Sequence, residues 1–262
     1  MAIVFLLISF LASVIGSVCG IGGGILIKPV LDMVGAASVS TISFLSSCTV
    51  LSMSLYNVGR SLRSRSAEID LGTATPLAIG AALGGLLGSQ CFQIFKAASE
   101  NEGIIGAIQS VCLLILVLGT LIYTLEKQRI TPLYIKRKDI CAGIGLILGS
   151  LSSFLGIGGG PFNLVVLHYF LGLETKKAAA NSLYIILISQ VANLLLLFVK
   201  AGVPPFDILT LALMVLGGIL GGAVGRRITE KVNNAAVDRL FRLLLYFIII
   251  ICIYNTVHYL SV

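Results

Sequence analysis

The chain has 262 residues, 57% of them hydrophobic and only 11% charged, with a mean hydropathy of +1.05. A soluble domain of this length has no core large enough for so much apolar surface, so composition excludes one and indicates a polytopic α-helical membrane protein. The formal charge of +7 is no nucleic-acid signal, because the basic residues sit in short loops beside apolar runs, where membrane orientation accounts for them.

The first apolar block runs from residue 2 to Val34. As one helix it would be roughly 50 Å long, against a hydrocarbon core of about 30 Å. Inside it stands Gly20-Ile21-Gly22-Gly23-Gly24, and each glycine costs a helix about 1 kcal/mol against alanine. A break is therefore expected there, with a long arm before it and a short arm after it. No Lys or Arg precedes Lys28, so the start reads as a retained membrane segment rather than a signal peptide. Lys28 is the only basic residue inside an apolar block. It either snorkels to an interface or places a charge in a cavity, and Asp32, four positions on, is a partner in reach.

A polar-flecked helix follows, from Ser43 through Ser46 and Ser47 to Asn57. Asp70 then opens a glycine-rich helix, as a cap. An apolar helix over 103–125 closes the first half, and the polar stretch Glu126 to Asp139 leads into the second. There the order repeats. Gly156-Ile157-Gly158-Gly159-Gly160 breaks an apolar block from Ile140 to Leu171, with Pro161 as the first residue of its short arm. Ala180-Asn181-Ser182-Leu183 leads a polar-flecked helix to Asn193, and Asp207 opens a second glycine-rich helix. Gly80, Gly84-Gly85 and Gly88 align with Gly217, Gly221-Gly222 and Gly225. An apolar helix over 236–260 ends the chain. The expected organisation is one integral membrane unit of two repeats, 1–130 and 131–262, each of four hydrophobic segments.

Three loops carry most of the positive charge: around Arg60 to Arg65, Lys127 to Lys138 and Arg226 to Arg242. The positive-inside rule asks for all three in the cytoplasm. If every block crosses once, the last two fall on opposite sides. If the fifth block enters and returns, both are inside and the two repeats are inverted. The second arrangement is the expectation adopted, with the first segment of each half re-entrant and both termini outside.

Two broken segments in corresponding positions are a pointer to a transporter's binding site. Consecutive amides in a non-helical turn form an anion-binding concavity, and the helix end beyond adds about half a positive charge. The candidate substrate-binding set is Gly22, Gly23 and Gly24 with Gly158, Gly159 and Gly160, completed by Ser46, Ser47, Asn163, Asn181 and Ser182; Lys28 is a charge that could enter the cavity. A packing kink without a ligand is the alternative reading of the glycines. His168, near a span end, reads as an interface or structural histidine. The six cysteines form no CxxC pair and read as apolar packing residues, so no metal site is expected.

These features resemble the sulfite exporter TauE/SafE family, also called TSUP or DUF81. The motif reads GIGGGILIKPVL at 20–31 and GIGGGPFNLVVL at 156–167; ANSLYIILIS at 180–189, GGLLGS at 84–89 and GGAVGR at 221–226 are similar to the family as well. Lys28 departs from it, since that position is usually apolar. The resemblance covers nearly the whole chain. It implies a secondary transporter of small sulfur-containing anions, such as sulfite or sulfonates, in the cytoplasmic membrane. An anion channel and an intramembrane enzyme are the competing classes. His168 and His258 fall in no catalytic motif and no Walker-type loop is present, so neither an enzyme nor a built-in ATP-driven pump is expected. The expected partners are the lipid bilayer, a small anionic substrate and a coupling proton or other ion, with no nucleic acid and no cofactor.

Overall fold

The computed structural model describes residues 2–34, 38–63, 68–98, 102–155, 160–201 and 203–261. Among them it contains ten α-helices: α1 (Ala2–Cys19), α2 (Gly24–Val34), α3 (Val39–Arg63), α4 (Leu71–Ala98), α5 (Glu102–Glu126), α6 (Lys138–Phe154), α7 (Phe162–Leu171), α8 (Thr175–Leu196), α9 (Ile208–Lys231) and α10 (Asn234–Ser261). A short 3-10 turn follows α5 and a π turn extends α8. Seven of these helices are long and apolar enough to cross a membrane. The remaining hydrophobic block is divided between α6, of 17 residues, and α7, of 10.

The break expected in the first block separates α1 from α2. Gly20 takes the left-handed conformation (φ 69°), and the Ile21 amide donates back to the Gly16 carbonyl at 3.1 Å, the six-to-one bond of a glycine-terminated helix. Gly22 is left-handed too (φ 68°), which keeps the helix from resuming until Gly24. The break in the second block falls on residues 156–159, outside the described ones. Pro161 precedes α7 with helical dihedrals, and left-handed Gly172 (φ 67°) ends α7, its N–H donating to the His168 carbonyl at 2.9 Å and Leu173 N–H to the Leu167 carbonyl at 3.3 Å.

Both expected aspartate caps are present. The Asp70 carboxylate accepts from Gly72 N–H (3.1 Å) and Thr73 Oγ1 (2.8 Å). The Asp207 carboxylate accepts from Thr210 Oγ1 (2.7 Å) and Thr210 N–H (2.9 Å), and these bonds hold its pKa below the ordinary carboxylate value.

The helices turn apolar faces outward and small polar faces inward. On α1, Ile3 is 69% exposed whereas Ser9 and Ser13 are fully buried. That distribution suits lipid, which solvates leucine as well as a protein core does; close backbone contact between small residues then holds the helices together.

The two tightest seams are made this way, each between the two halves. A Cβ on Gly80, Gly84 or Gly88 of α4 would collide with the carbonyls of Ala142, Leu146 and Ser150 on α6, and Gly145 and Gly149 of α6 lie as close to Leu77 and Ala81. On α9, Gly217, Gly221 and Gly225 press in the same way on Leu6, Phe10 and Val14 of α1. In each seam the partner numbers rise together, so α4 and α6 run in the same direction, as do α1 and α9. The glycines of α9 also meet α3, Gly218 at Thr49 and Gly222 at Met53, again rising together. Asn181 and Tyr184 of α8 bond Asp70 and Thr75 beside and on α4. One set of parallel helices is thus α1, α3 and α9; the other is α4, α6 and α8.

The basic loops meet at one end of the bundle. Lys127 bonds Asp238 (3.0 Å) and Thr175 (2.6 Å), Lys176 bonds the Val232 carbonyl (3.0 Å), and Arg226 bonds Glu68 (3.2 Å). The stretch leading into α6 reaches the same region, since Leu133 and Ile135 donate to the carbonyls of Tyr169 and Phe170 at the end of α7. At the other end Thr41 donates to the Pro205 carbonyl (3.0 Å), and Phe44 packs on Phe198 and Phe206.

Candidate functional site

Residues 20–27 are all buried. Gly20 sits directly on Ala179 of α8, so closely that a Cβ there would overlap the alanine backbone. A Cβ on Gly22 would lie 3.3 Å from Val50 of α3 and 3.4 Å from Ile186 of α8, and one on Gly23 would lie 3.1 Å from the Ala12 carbonyl of α1. The amides of Gly22, Gly23 and Gly24 find no backbone acceptor among the described residues, while Leu26 and Ile27 donate to Gly23. Three buried donors at a helix start are an electropositive feature inside an apolar shell.

The second half presents a small cavity where α7 begins. It has room for about one water. Ser152 and Ser153 of α6, Asn163 of α7, and Ile186, Ser189 and Asn193 of α8 line it. Asn163 donates to Ser182 Oγ at 3.5 Å, and both residues are buried. Ile186 therefore borders the first break on one side and this cavity on the other.

A Ser–Asn–Gly cluster occurs beside each break. In the first half Ser17 Oγ donates to Asn57 Oδ1 (2.9 Å) and approaches the Gly222 carbonyl (3.2 Å). In the second, Ser153 and Asn193 flank Gly85: a Cβ on it would lie 3.1 Å from Ser153 Oγ and 3.5 Å from Asn193 Oδ1. Sequence reasoning weighed Asn57 and Asn193 only as scattered polar groups and missed Ser17 and Ser153. The signal was present: each half reads Ser-x-x-Gly-Ile-Gly-Gly-Gly, at Ser17 and at Ser153.

The other expected residues divide. Gly22 and Gly23 lie in the first break and Gly24 begins α2; Asn163 and Ser182 meet; Ser46 is buried on α3 and Ser47 half-buried beside it. Gly160 is buried against the Phe162 ring, and Gly158 and Gly159 lie outside the described residues. Lys28 is half-buried on α2, immediately before Pro29. Asn181 is used differently. Its Oδ1 accepts from Asp70 N–H (3.1 Å) and its Nδ2 donates to the carbonyls of Glu68 (3.0 Å) and Lys177 (2.7 Å), so its amide clips the chain between α3 and α4 to α8.

Two charged clusters lie toward the basic end. Arg226, with its side chain only 12% exposed, donates to Ser61 Oγ (2.6 Å), the Glu68 carboxylate (3.2 and 3.4 Å) and the Asn57 carbonyl (3.5 Å), and its Nε faces Glu230 at 3.0 Å. A second water-sized cavity is lined by Lys127, Asp238, Thr175, Tyr123 and His168. His168 Nδ1 and the Tyr123 hydroxyl share a 2.8 Å hydrogen bond. Among the described residues no group of His, Cys, Asp and Glu is placed to hold a metal ion.

The family model described as sulfite exporter TauE/SafE matches residues 5–253. The probable membrane transporter protein YunE of Bacillus subtilis (strain 168) is 22% identical over 268 residues, covering 94% of this chain and 95% of that protein. No solved structure matches.

Proposed function

We propose, from the fact that the chain belongs to the sulfite exporter TauE/SafE family of membrane transporters, that it is a secondary transporter of small sulfur-containing anions across the cytoplasmic membrane. The observation that carries the site is the buried break between α1 and α2, where the amides of Gly22, Gly23 and Gly24 find no backbone acceptor among the described residues and Gly22 lies against Ile186, which also borders the Asn163 cavity. An oxyanion accepts several backbone N–H bonds at once, so a helix start binds it without a full positive side chain. The second half contributes Gly158, Gly159 and Gly160 with Asn163 and Ser182, and Ser46 and Ser47 complete the shell from α3. Lys28 adds charge to the cavity or anchors α2 at an interface. Asn181 acts by positioning the chain over Glu68 to Asp70.

The repeats are read as inverted. α1 is parallel to α3 and α9, α6 is parallel to α4 and α8, and Asn181 near the start of α8 bonds Asp70 just past the end of α3; equivalent helices of the two halves then oppose each other. The end of α7 lies beside the stretch leading into α6, which supports a re-entrant segment. With the basic loops gathered at one end, that end is assigned to the cytoplasm and the termini to the outside. The test is initial uptake into proteoliposomes of labelled sulfite, thiosulfate and methanesulfonate. Saturable flux of at least one, dependent on an ion gradient, is expected; no flux of any, or unitary currents of channel size, overturns the reading.

A further inference from the structure

We propose that the cavity beside Asn163 binds a sodium ion, and that this ion is the one coupled to the transported anion. The coupling rests on the proposed anion transport; the site does not. The two halves carry the same Ser–Asn pair, each serine 40 residues before its asparagine. In the first half the pair is closed on itself, with Ser17 Oγ donating to Asn57 Oδ1 at 2.9 Å beside the Gly222 carbonyl. In the second half it is open. Ser153 and Asn193 both line the cavity, and neither side chain makes a hydrogen bond among the described residues. Ser152, only 6% exposed, and Ser189 line it too and are equally unengaged among the described residues. Groups that satisfy each other in one half are thus held apart in the other, around room for about one water. Buried hydroxyls and amides in that state call for a guest.

The lining decides which guest. Its polar atoms are the hydroxyls of Ser152, Ser153 and Ser189 and the amides of Asn163 and Asn193. Asn163 Nδ2 donates to Ser182 at 3.5 Å, which leaves Oδ1 as its atom for the cavity. Ser152 and Ser153 lie in the last turn of α6, where the helix end carries about half a negative charge. Hard, neutral oxygens at a negative helix end suit a hard cation. No charged side chain is among the described residues lining the cavity, and without a carboxylate a divalent ion does not recover its lost hydration. A space of one water is tight for potassium, which leaves sodium. Asn163 also ties the ion to the cargo. It stands at the start of α7, where the anion is read to bind, so opposite charges flank one amide and each raises the affinity of the other. Ile186 alone separates the cavity lining from Gly22 of the first break.

The experiment follows thermal unfolding of the detergent-purified protein while NaCl replaces choline chloride at constant ionic strength, with KCl as the comparison. Sodium should raise the melting temperature saturably and potassium should not. Sulfite at a fixed concentration should lower the sodium half-saturation. Asn193→Ala and Ser152→Ala should each raise it about tenfold, as loss of one contact to a charge predicts. Asn193→Asp supplies a carboxylate, and should lower it and admit calcium. Ser150→Ala, whose hydroxyl serves the Gly84 and Leu146 carbonyls, should leave it unchanged. Equal stabilisation by sodium, potassium and choline overturns the site in favour of a bound water. So does a folded Asn193→Ala or Ser152→Ala protein with the wild-type half-saturation, or a Ser150→Ala protein shifted as far as they are. In proteoliposomes a sodium gradient should drive labelled sulfite, thiosulfate or methanesulfonate. Saturable flux driven by a proton gradient and indifferent to sodium overturns the coupling alone. No flux of any anion, with the sodium-dependent melting intact, removes the transport reading and leaves the site.

Discussion

Gly84→Ala adds one methyl group at the centre of the seam between α4 and α6. The new Cβ would collide with the Leu146 carbonyl, a backbone atom that no rotamer change can move. The helices must separate, and separation loosens the neighbouring approaches of Gly80, Gly88, Gly145 and Gly149 as well. Overpacking of this kind costs about 1–3 kcal/mol, and the shared seam puts this case toward the upper part of that range. Helix propensity works the other way, since alanine gains about 1 kcal/mol over glycine. The expected net loss is about 1–2 kcal/mol. Gly143→Ala is the control. It lies on α6 near the same seam, but no atom stands within 4 Å of its would-be Cβ, so it should be neutral or up to about 1 kcal/mol more stable. Reversible unfolding in mixed detergent micelles measures both. A Gly84→Ala protein as stable as Gly143→Ala would show that close backbone approach does not hold this seam, and the same logic at Gly221 on α9 would fall with it.

Cysteines introduced in a background without native ones, as Arg63→Cys, Arg129→Cys and Asn233→Cys, should label from a single side, because the ion pairs Arg226–Glu68 and Lys127–Asp238 hold these connections at one end; labelling of any two from opposite sides refutes the inverted arrangement. Gly22→Val forces a β-branched residue into the left-handed region between Val50 and Ile186, and should abolish anion binding measured by calorimetry in folded protein; a folded variant that binds like wild type makes the glycines mere kinks. Asp207 has its folded pKa depressed by Thr210, so its contribution is complete above the ordinary carboxylate pKa and is lost as pH falls through the depressed one. Amide exchange at Thr210 should therefore accelerate on acidification, after correction for intrinsic rates, and Asp207→Asn should remove that dependence; an unchanged acid dependence in the variant counts against the cap.

The glycine break of α1 and the capping aspartates were legible because their causes are local: a residue type and a dihedral, or a carboxylate and an amide two or three positions on. The glycines of α4 and α9 were legible as an aligned repeat, but not the helices they approach. A small-residue stripe says that some backbone comes near; nothing in it distinguishes α6 from any other helix. Asn181 was placed among the site residues because a polar side chain in an apolar run needs a partner, and its partners, Glu68 and Asp70, are brought to it only by the fold. Arg226 was counted as one more orientation charge. Its burial depends on Ser61 and Glu68, distant in the chain, so no window of sequence around it could reveal the cluster.

The exchange of α1 onto α9 has a consequence for how the chain is made. α1 leaves the ribosome well before the glycine face it requires, which arrives about two hundred residues later, a separation that delays the contact until most of those residues are inserted. Until then Ser9 and Ser13, buried on the face that meets α9, have only lipid or a temporary neighbour to face. The amino-terminal half by itself lacks the surface that satisfies its own first helix, and the carboxy-terminal half leaves the complementary glycines of α9 bare. Each half is thus the other's assembly factor, and a chain cut between α5 and α6 should regain its structure only when both pieces are synthesised in the same membrane.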